Sequence, residues 1–293
     1  MKIALYAREI EQRWHNRFCF IINNLAEKGA VLNYYRPLYD RLRHTYNLDV
    51  PAGECFESAS ELPGDTDLFL CMGGDGTFLE SLQLVKSRII PVAGVNFGRL
   101  GFLAGADDET GTEWIDDFFE KRFFIEKRML FEVTADFLPE NFYPFALNEV
   151  AIQRQDPLMV AVNVKVDGKE LPTYWSDGLV LATPTGSTAY SMSIGGPIMF
   201  PGVKAMILAP IAPHNLNIRP LVLPEVSEIE ISVNARVSPA ILSLDNRSLT
   251  IPNGKSIMVR RADYDLNYLS FRENKFIDGL RRKLLWGEDK RNS

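Results

Sequence analysis

The sequence predicts an α/β domain with a mostly parallel sheet, followed by a second domain that is antiparallel and β-rich. Three observations carry this. Strand-like and helix-like segments alternate over roughly the first 125 residues, as in sheets covered by helices. An apolar run, Asp67-Leu68-Phe69-Leu70-Cys71-Met72, ends in the glycine turn Gly73-Gly74-Asp75-Gly76 and passes into a helical pattern. From about Phe124 onward, strand-like runs follow one another with only turn signals between them.

Taken in order, Lys2 to Ala7 reads as a strand and Ile10 to Glu27 carries helical periodicity. Val31 to Tyr35, Leu68 to Met72 and Ile89 to Val95 are short β-rich runs. Thr77 to Lys86 is the helix after the glycine turn, and Thr112 to Arg122 is another, with Thr112 as its N-cap. The strands of the second domain are Phe124 to Phe137, Leu147 to Gln153, Met159 to Val166, Leu179 to Thr183, Glu228 to Val233 and Ala240 to Leu244. Asp167-Gly168 and Asn253-Gly254 are hairpin signals between strands. Glu273 to Trp286 returns to an amphipathic helix, with Arg281, Arg282 and Lys283 at the end where cations are favoured. Residues 1–125, completed by 272–293, therefore form the α/β domain, and 126–271 the β-rich one.

Composition narrows the function. With 46% hydrophobic and 24% charged residues over 293 positions, the chain is a folded globular protein. It shows no apolar run of membrane-spanning length and no signal-peptide pattern at Met1 to Glu9, so a cytoplasmic location without membrane contact is expected. The net charge of −6 disfavours a nucleic-acid partner, which needs a basic footprint. Cys19, Cys55 and Cys71 are too separated for a disulfide framework or a Cys-x-x-Cys site, and His15, His44 and His214 too scattered for a zinc cluster.

Several motifs fail in informative ways. Gly254-Lys255-Ser256 resembles the end of a phosphate loop, but Leu249 stands where that loop needs glycine. Gly74-Asp75-Gly76-Thr77-Phe78-Leu79 nearly matches a dinucleotide fingerprint, yet Leu79 replaces the third glycine. A carboxylate there would face the pyrophosphate unless a metal or a hydroxyl lay between. Ser187 lacks the nucleophile elbow of a hydrolase.

Two further segments gather polar groups. Trp175 to Tyr190 runs from Ser176-Asp177-Gly178 through an apolar strand into Thr183-Pro184-Thr185-Gly186-Ser187-Thr188-Ala189-Tyr190, then Ser191, Met192 and Ser193. Small hydroxyl residues admit a ligand to the backbone, and the Tyr190 ring could lie against a purine; a polar loop with a structural turn has the same composition. Asn148-Glu149 puts an amide and a carboxylate side by side in an apolar run, either as an ordinary surface pair or, at a strand end, as a ribose-binding pair.

In this order the motifs resemble those of the NAD kinases of bacterial type. The likeness includes Gly73 to Thr77, Asn148-Glu149, Asp177-Gly178 and Thr183 to Tyr190. It extends through Gly94 to Leu103 and through Pro213-His214-Asn215-Leu216-Asn217-Ile218-Arg219-Pro220-Leu221-Val222, covering most of the chain from Asp67 onward. The glycine-aspartate turn by itself is shared with diacylglycerol and sphingosine kinases. A lipid kinase would want a membrane-active element, and a non-catalytic nucleotide sensor would not need Asp75, Asn148 and Glu149 together.

The resemblance implies transfer of the ATP γ-phosphoryl group to the 2′-hydroxyl of the adenosine ribose of NAD. Asp75 is then the general base, with Gly74 and Gly76 making room for phosphates. Asn148 and Glu149 engage the adenosine, and Thr188, Ala189, Tyr190, Ser191, Met192 and Ser193 lie on the adenine side. Asp177 and Ala212 match positions at the nicotinamide end, where subunits of a homo-oligomer, dimer or tetramer, complete one another's sites. Magnesium is expected with ATP, and the sequence names no protein ligand for it. Two positions depart from the pattern: Trp175 stands where many relatives carry arginine, and Arg247, counted with the nucleotide-binding residues, where a neutral amide is common.

Overall fold

The structure, a computed structural model, describes residues 1–97, 101–104, 113–234, 239–271 and 275–284. Thr112, Gly98 to Leu100, Glu273 and Trp286, all named above, lie outside the described residues. Two compact units emerge, Met1–Lys127 with Leu266–Ser293, and Arg128–Asp265.

In the first unit, β1 (Lys2–Tyr6), α1 (His15–Glu27), β2 (Val31–Tyr35), α2 (Arg36–Asp40), β3 (Glu54–Phe56), β4 (Leu68–Met72), α3 (Asp75–Val85), β5 (Val92–Val95) and α4 (Glu113–Phe119) follow in order. The strands lie side by side as β3-β2-β1-β4-β5, all parallel, with Ile3 opposite both Leu32 and Leu68, and Leu70 opposite Ala93. Burial follows from sequence spacing. Phe18, Ile21, Ile22 and Leu25 recur at helical intervals on α1 and join Ile3, Leu5, Leu32, Leu68 and Leu70 in one core. All five residues of β4 are buried, as a central strand covered on both faces requires. Strand order reverses between β1 and β4, so the turn after β4 lies at the switch point where such sheets bind ligands.

In the second unit run β6 (Phe124–Thr134), β7 (Phe145–Ala146), β8 (Glu149–Gln153), β9 (Val160–Val166), β10 (Lys169–Glu170), β11 (Tyr174–Ser176), β12 (Gly178–Ala182), α5 (Tyr190–Ser193), β13 (Ala205–Ile211), β14 (Leu221–Pro224), β15 (Ile229–Asn234), β16 (Ala240–Leu244), β17 (Arg247–Ile251) and β18 (Ser256–Ser270). β6 begins and β18 ends in the first unit, where Tyr268 of β18 pairs in parallel with Val92. Six antiparallel strands form one sheet, β14-β13-β12-β8-β16-β17. Its inward residues, such as Val150, Ile152, Leu179, Leu181, Leu242 and Leu244, share a core with Val162, Val164, Ile229, Ile231, Ile257 and Val259 of β9, β15 and β18. Asp167 and Gly168, at φ 50° and 78°, make the two-residue hairpin between β9 and β10. The last helix, α6 (Lys275–Leu284), belongs to the first unit and carries Arg281, Arg282 and Lys283 in its final turn.

Several boundaries differ from expectation for local reasons. The helix after the glycine turn starts at Asp75 rather than Thr77, capped by Gly74 in extended geometry. The helix expected from Ile10 begins at His15, after a single 3-10 turn over Gln12–Trp14. Ile89 is 88% exposed, and the strand expected from it starts at Val92. Leu147 and Asn148 precede β8 because their amides are bonded elsewhere, as described below. Expectation also passed over β13, β17 and the fifteen-residue β18.

Candidate functional site

The glycine turn of the first unit presents one carboxylate. Asp75 occupies the first turn of α3, the helix end where a negative charge is stabilised. Its Oδ2 accepts the Phe102 amide at 2.7 Å, and its Oδ1 accepts the amides of Leu103 at 3.0 Å and Ala104 at 3.1 Å. A carboxylate offers about four lone-pair sites. Among the described residues three are used, so the fourth, on Oδ2, is left for a further donor. The approach depends on Gly101, where a Cβ would stand 1.9 Å from Asp75 Oδ1. The Leu103 carbonyl on the same segment accepts the buried Tyr268 hydroxyl at 2.9 Å. Gly74 is half-buried and Gly76 exposed, so the turn itself is open.

The second unit repeats the device. Asp245 begins the two-residue Asp245-Asn246 loop that returns β16 to β17, at φ 51°, and its side chain is buried. It accepts the amides of Leu147 at 2.9 Å, Asn148 at 2.8 Å and Glu149 at 3.2 Å, and returns its own amide to the Glu149 carbonyl at 3.0 Å. Arg247 sits 3.7 Å from the Asp245 carboxylate. Its guanidinium also donates to the carbonyls of Tyr143 and Phe145 and lies 4.8 Å over the Tyr143 ring. The unusual arginine is thus tied into the fold behind Asn148 and Glu149. Asp245 is the residue that sequence reading missed; the signal was an Asp-Asn pair between two strand patterns.

With the backbone of 147–149 fixed, the side chains of Asn148 and Glu149 are what remains to act. The Asn148 carbonyl accepts the Thr183 amide at 2.9 Å. Glu149 Oε2 is buried with no hydrogen-bond partner among the described residues. Burial, and secondarily the Asp245 charge, push the Glu149 carboxyl up to about 8, while the Tyr190 amide opposes them. At neutral pH this group holds its proton and is in want of a polar partner.

The hydroxyl-rich segment divides in two. Thr183 Oγ1 donates to the Leu147 carbonyl at 2.5 Å and accepts the Gly186 amide at 3.1 Å, and Ser187 Oγ bonds Pro184 and Met199. Those hydroxyls hold the turn together. Thr185 Oγ1 and Ser191 Oγ are buried and unpartnered among the described residues. Gly186 lets the turn close on β8, since a Cβ would stand 2.0 Å from the Asn148 carbonyl oxygen. Thr188 ends the 3-10 turn Thr185–Thr188, Ala189 bends the chain at φ −102° and ψ −130°, and α5 carries Tyr190, Ser191, the half-buried Met192 and the exposed Ser193. The Tyr190 hydroxyl accepts Gln153 Nε2 at 2.7 Å, which lays its ring along the outer face of β8.

Asn148, Glu149 and Thr188 therefore gather at one end of β8 and β12, and the Tyr190 side chain runs along β8 to Gln153 at the other end. Asp177 and Ala212 lie at that other end. The Asp177 amide bonds the Ile211 carbonyl at 2.9 Å, and Ala212 follows at φ 42°. Roughly 13 Å of strand separates the two ends. The Asp177 carboxylate is held by Arg154 through contacts of 2.8 and 3.2 Å. Among the described residues, no three His, Cys, Asp or Glu side chains gather to hold a metal.

Comparison with known proteins matches residues 55–123 to the ATP-NAD kinase N-terminal domain and 147–271 to the ATP-NAD kinase C-terminal domain. The NAD kinase of Christiangramia forsetii is 39% identical over 300 aligned residues, covering 100% of both chains. That of Porphyromonas gingivalis is 40% identical over 287, covering 98% of each. Among solved structures, yeast NADH kinase complexed with NADH superposes with a TM-score of 0.88 at 25% identity, over 100% of this chain and 89% of that one. An NAD kinase from Archaeoglobus fulgidus in complex with ATP gives 0.72 at 25% identity, over 97% and 99%.

Proposed function

The chain belongs to the ATP-NAD kinase family, and on that footing we propose that it transfers the γ-phosphoryl group of ATP to the 2′-hydroxyl of the adenosine ribose of NAD, giving NADP, with Asp75 as general base. The observation that supports this most is the state of the Asp75 carboxylate. Phosphoryl transfer asks a protein mainly for alignment and charge stabilisation, plus a group that takes the proton of the attacking hydroxyl. Asp75 is held by three amides and keeps one lone pair, so a hydroxyl placed there meets an oriented acceptor. As the O–P bond to the ribose forms and the bond to ADP breaks, the hydroxyl proton passes to Asp75.

Asn148 and Glu149 hold the adenosine in this reading. The unpartnered Glu149 Oε2 meets a ribose hydroxyl, and Thr188, Ala189, Tyr190, Ser191, Met192 and Ser193 flank the adenine. Asp177 and Ala212 serve the nicotinamide end. Magnesium would arrive with the ATP phosphates and supply charge neutralisation; no three acidic, His or Cys side chains gather for it among the described residues, so no step is assigned to it. No described helix is long and apolar enough to cross a membrane, and we place the reaction in the cytoplasm. A homo-oligomer is also proposed, supported by β14, which ends its sheet with Leu221 38% and Val222 55% exposed.

The test is direct. Purified protein is incubated with ATP, magnesium and NAD, and NADP is followed with an NADP-specific dehydrogenase. Steady formation of NADP is expected. No NADP under saturating substrates would overturn the proposal.

A further inference from the structure

The amides that hold Asp75 are themselves held from behind. Phe102, whose N–H reaches Asp75 Oδ2, directs its ring at α6, 6.3 Å from the Phe276 ring, centroid to centroid, with a 50° tilt. Lys283, two turns further along the same helix, sets its ammonium 4.5 Å over the Phe102 ring. Between them comes Gly279, where a Cβ would stand 3.3 Å from the ring. Glycine inside a helix costs about 1 kcal/mol relative to alanine. It is explained here by the closeness of the ring.

We propose that α6 is a positioning element for the catalytic carboxylate: Phe276, Gly279 and Lys283 clamp the Phe102 ring, and the Phe102 amide thereby fixes Asp75 Oδ2, the oxygen with the free lone pair. The helix touches no reacting atom in this scheme. Its contribution is angular, because the direction of the remaining lone pair is set by the two atoms that define the existing bond. Phe102 is also the residue of the three whose amide meets Oδ2; Leu103 and Ala104 both address Oδ1. Loosening Phe102 releases the working oxygen and leaves the other in place.

The proposal rests on Asp75 being the base, and a double-mutant cycle separates the two ideas. Phe102→Ala should lower kcat about tenfold, leave the KM for NAD within about twofold, and leave the far-ultraviolet circular dichroism unchanged. Phe102→Tyr, which keeps a ring for Phe276 and Lys283, should restore most of that kcat. Phe102→Leu fills the space without an aromatic face and serves if the alanine variant does not fold; it should lower kcat several-fold. In an Asp75→Asn background, Phe102→Ala or Phe102→Leu should cost less than twofold, since no base remains to be aimed. An equal fold-loss in both backgrounds, or a loss confined to KM, would overturn the positioning role while leaving Asp75 as base. Near-native turnover of Asp75→Asn alone would overturn both.

Discussion

Asp75 and Glu149 are both carboxyls, and their surroundings give them opposite tasks. Asp75 accepts three amides and stands in the first turn of a helix. Replacing it with asparagine keeps the size and, through the amide oxygen, the bonds from Leu103 and Ala104, but sets an NH2 group against the Phe102 amide and removes the proposed proton acceptor. Steady-state kinetics of Asp75→Asn should show kcat down by roughly a hundredfold to ten-thousandfold, with NAD binding by calorimetry largely intact. Glu149 is buried without sufficient partners, and its carboxyl is raised from 4.5 to about 8. Between those two pH values the unfolded chain has released a proton that the folded one retains, so stability falls as pH rises through that window. Glu149→Gln does not ionise and escapes the loss. Its melting temperature should match that of the native protein near pH 4 and exceed it at pH 8, by the equivalent of about 2 to 5 kcal/mol. A constant difference across the range would show that the raised carboxyl is not the cause.

At the level of elements, the hairpin that joins β16 to β17 acts on the mouth of β8. Asp245 satisfies three consecutive amides there, with Arg247 beside it. Asp245→Ala would leave those amides and a buried guanidinium without their anion, a class of change that costs about 3 to 5 kcal/mol. Chemical denaturation should show that loss, and whatever enzyme remains folded should have a raised KM for NAD, since Asn148 and Glu149 lose their anchor. The strands bearing this arrangement were largely legible in the sequence, because burial at period two or as a continuous apolar run leaves a trace in composition. Val31–Tyr35, Leu68–Met72 and Ala240–Leu244 match their expected limits. The starts of α1, α3 and β8 were displaced because hydrogen bonds, which leave no periodicity, decide them. Asp75, Asn148 and Glu149 stood out as polar groups inside apolar runs. Asp245 did not, since an acid in a turn has an ordinary explanation, and the amides it holds lie about a hundred residues away in sequence. The division of hydroxyls in 183–191, some spent on the turn and some left over, is likewise a matter of three-dimensional pairing.

For the molecule as a whole, the exposed apolar residues on β14 predict association. Light scattering should give a mass that is a multiple of 33.2 kDa, and Val222→Lys should reduce it toward the single chain. A monomeric native protein would remove the homo-oligomer from the proposal. Each of the two compact units also contains one aspartate whose carboxylate collects the amides of three successive residues, 102–104 in one and 147–149 in the other. A glutamate carries the same charge and the same two oxygens, but reaches about 1.5 Å further, one carbon–carbon bond. At either position that displacement must break at least one of the three bonds. Substitution tables would score the exchange as mild, yet a mutational scan should find both sites as intolerant of glutamate as of alanine: what the geometry demands there is a length.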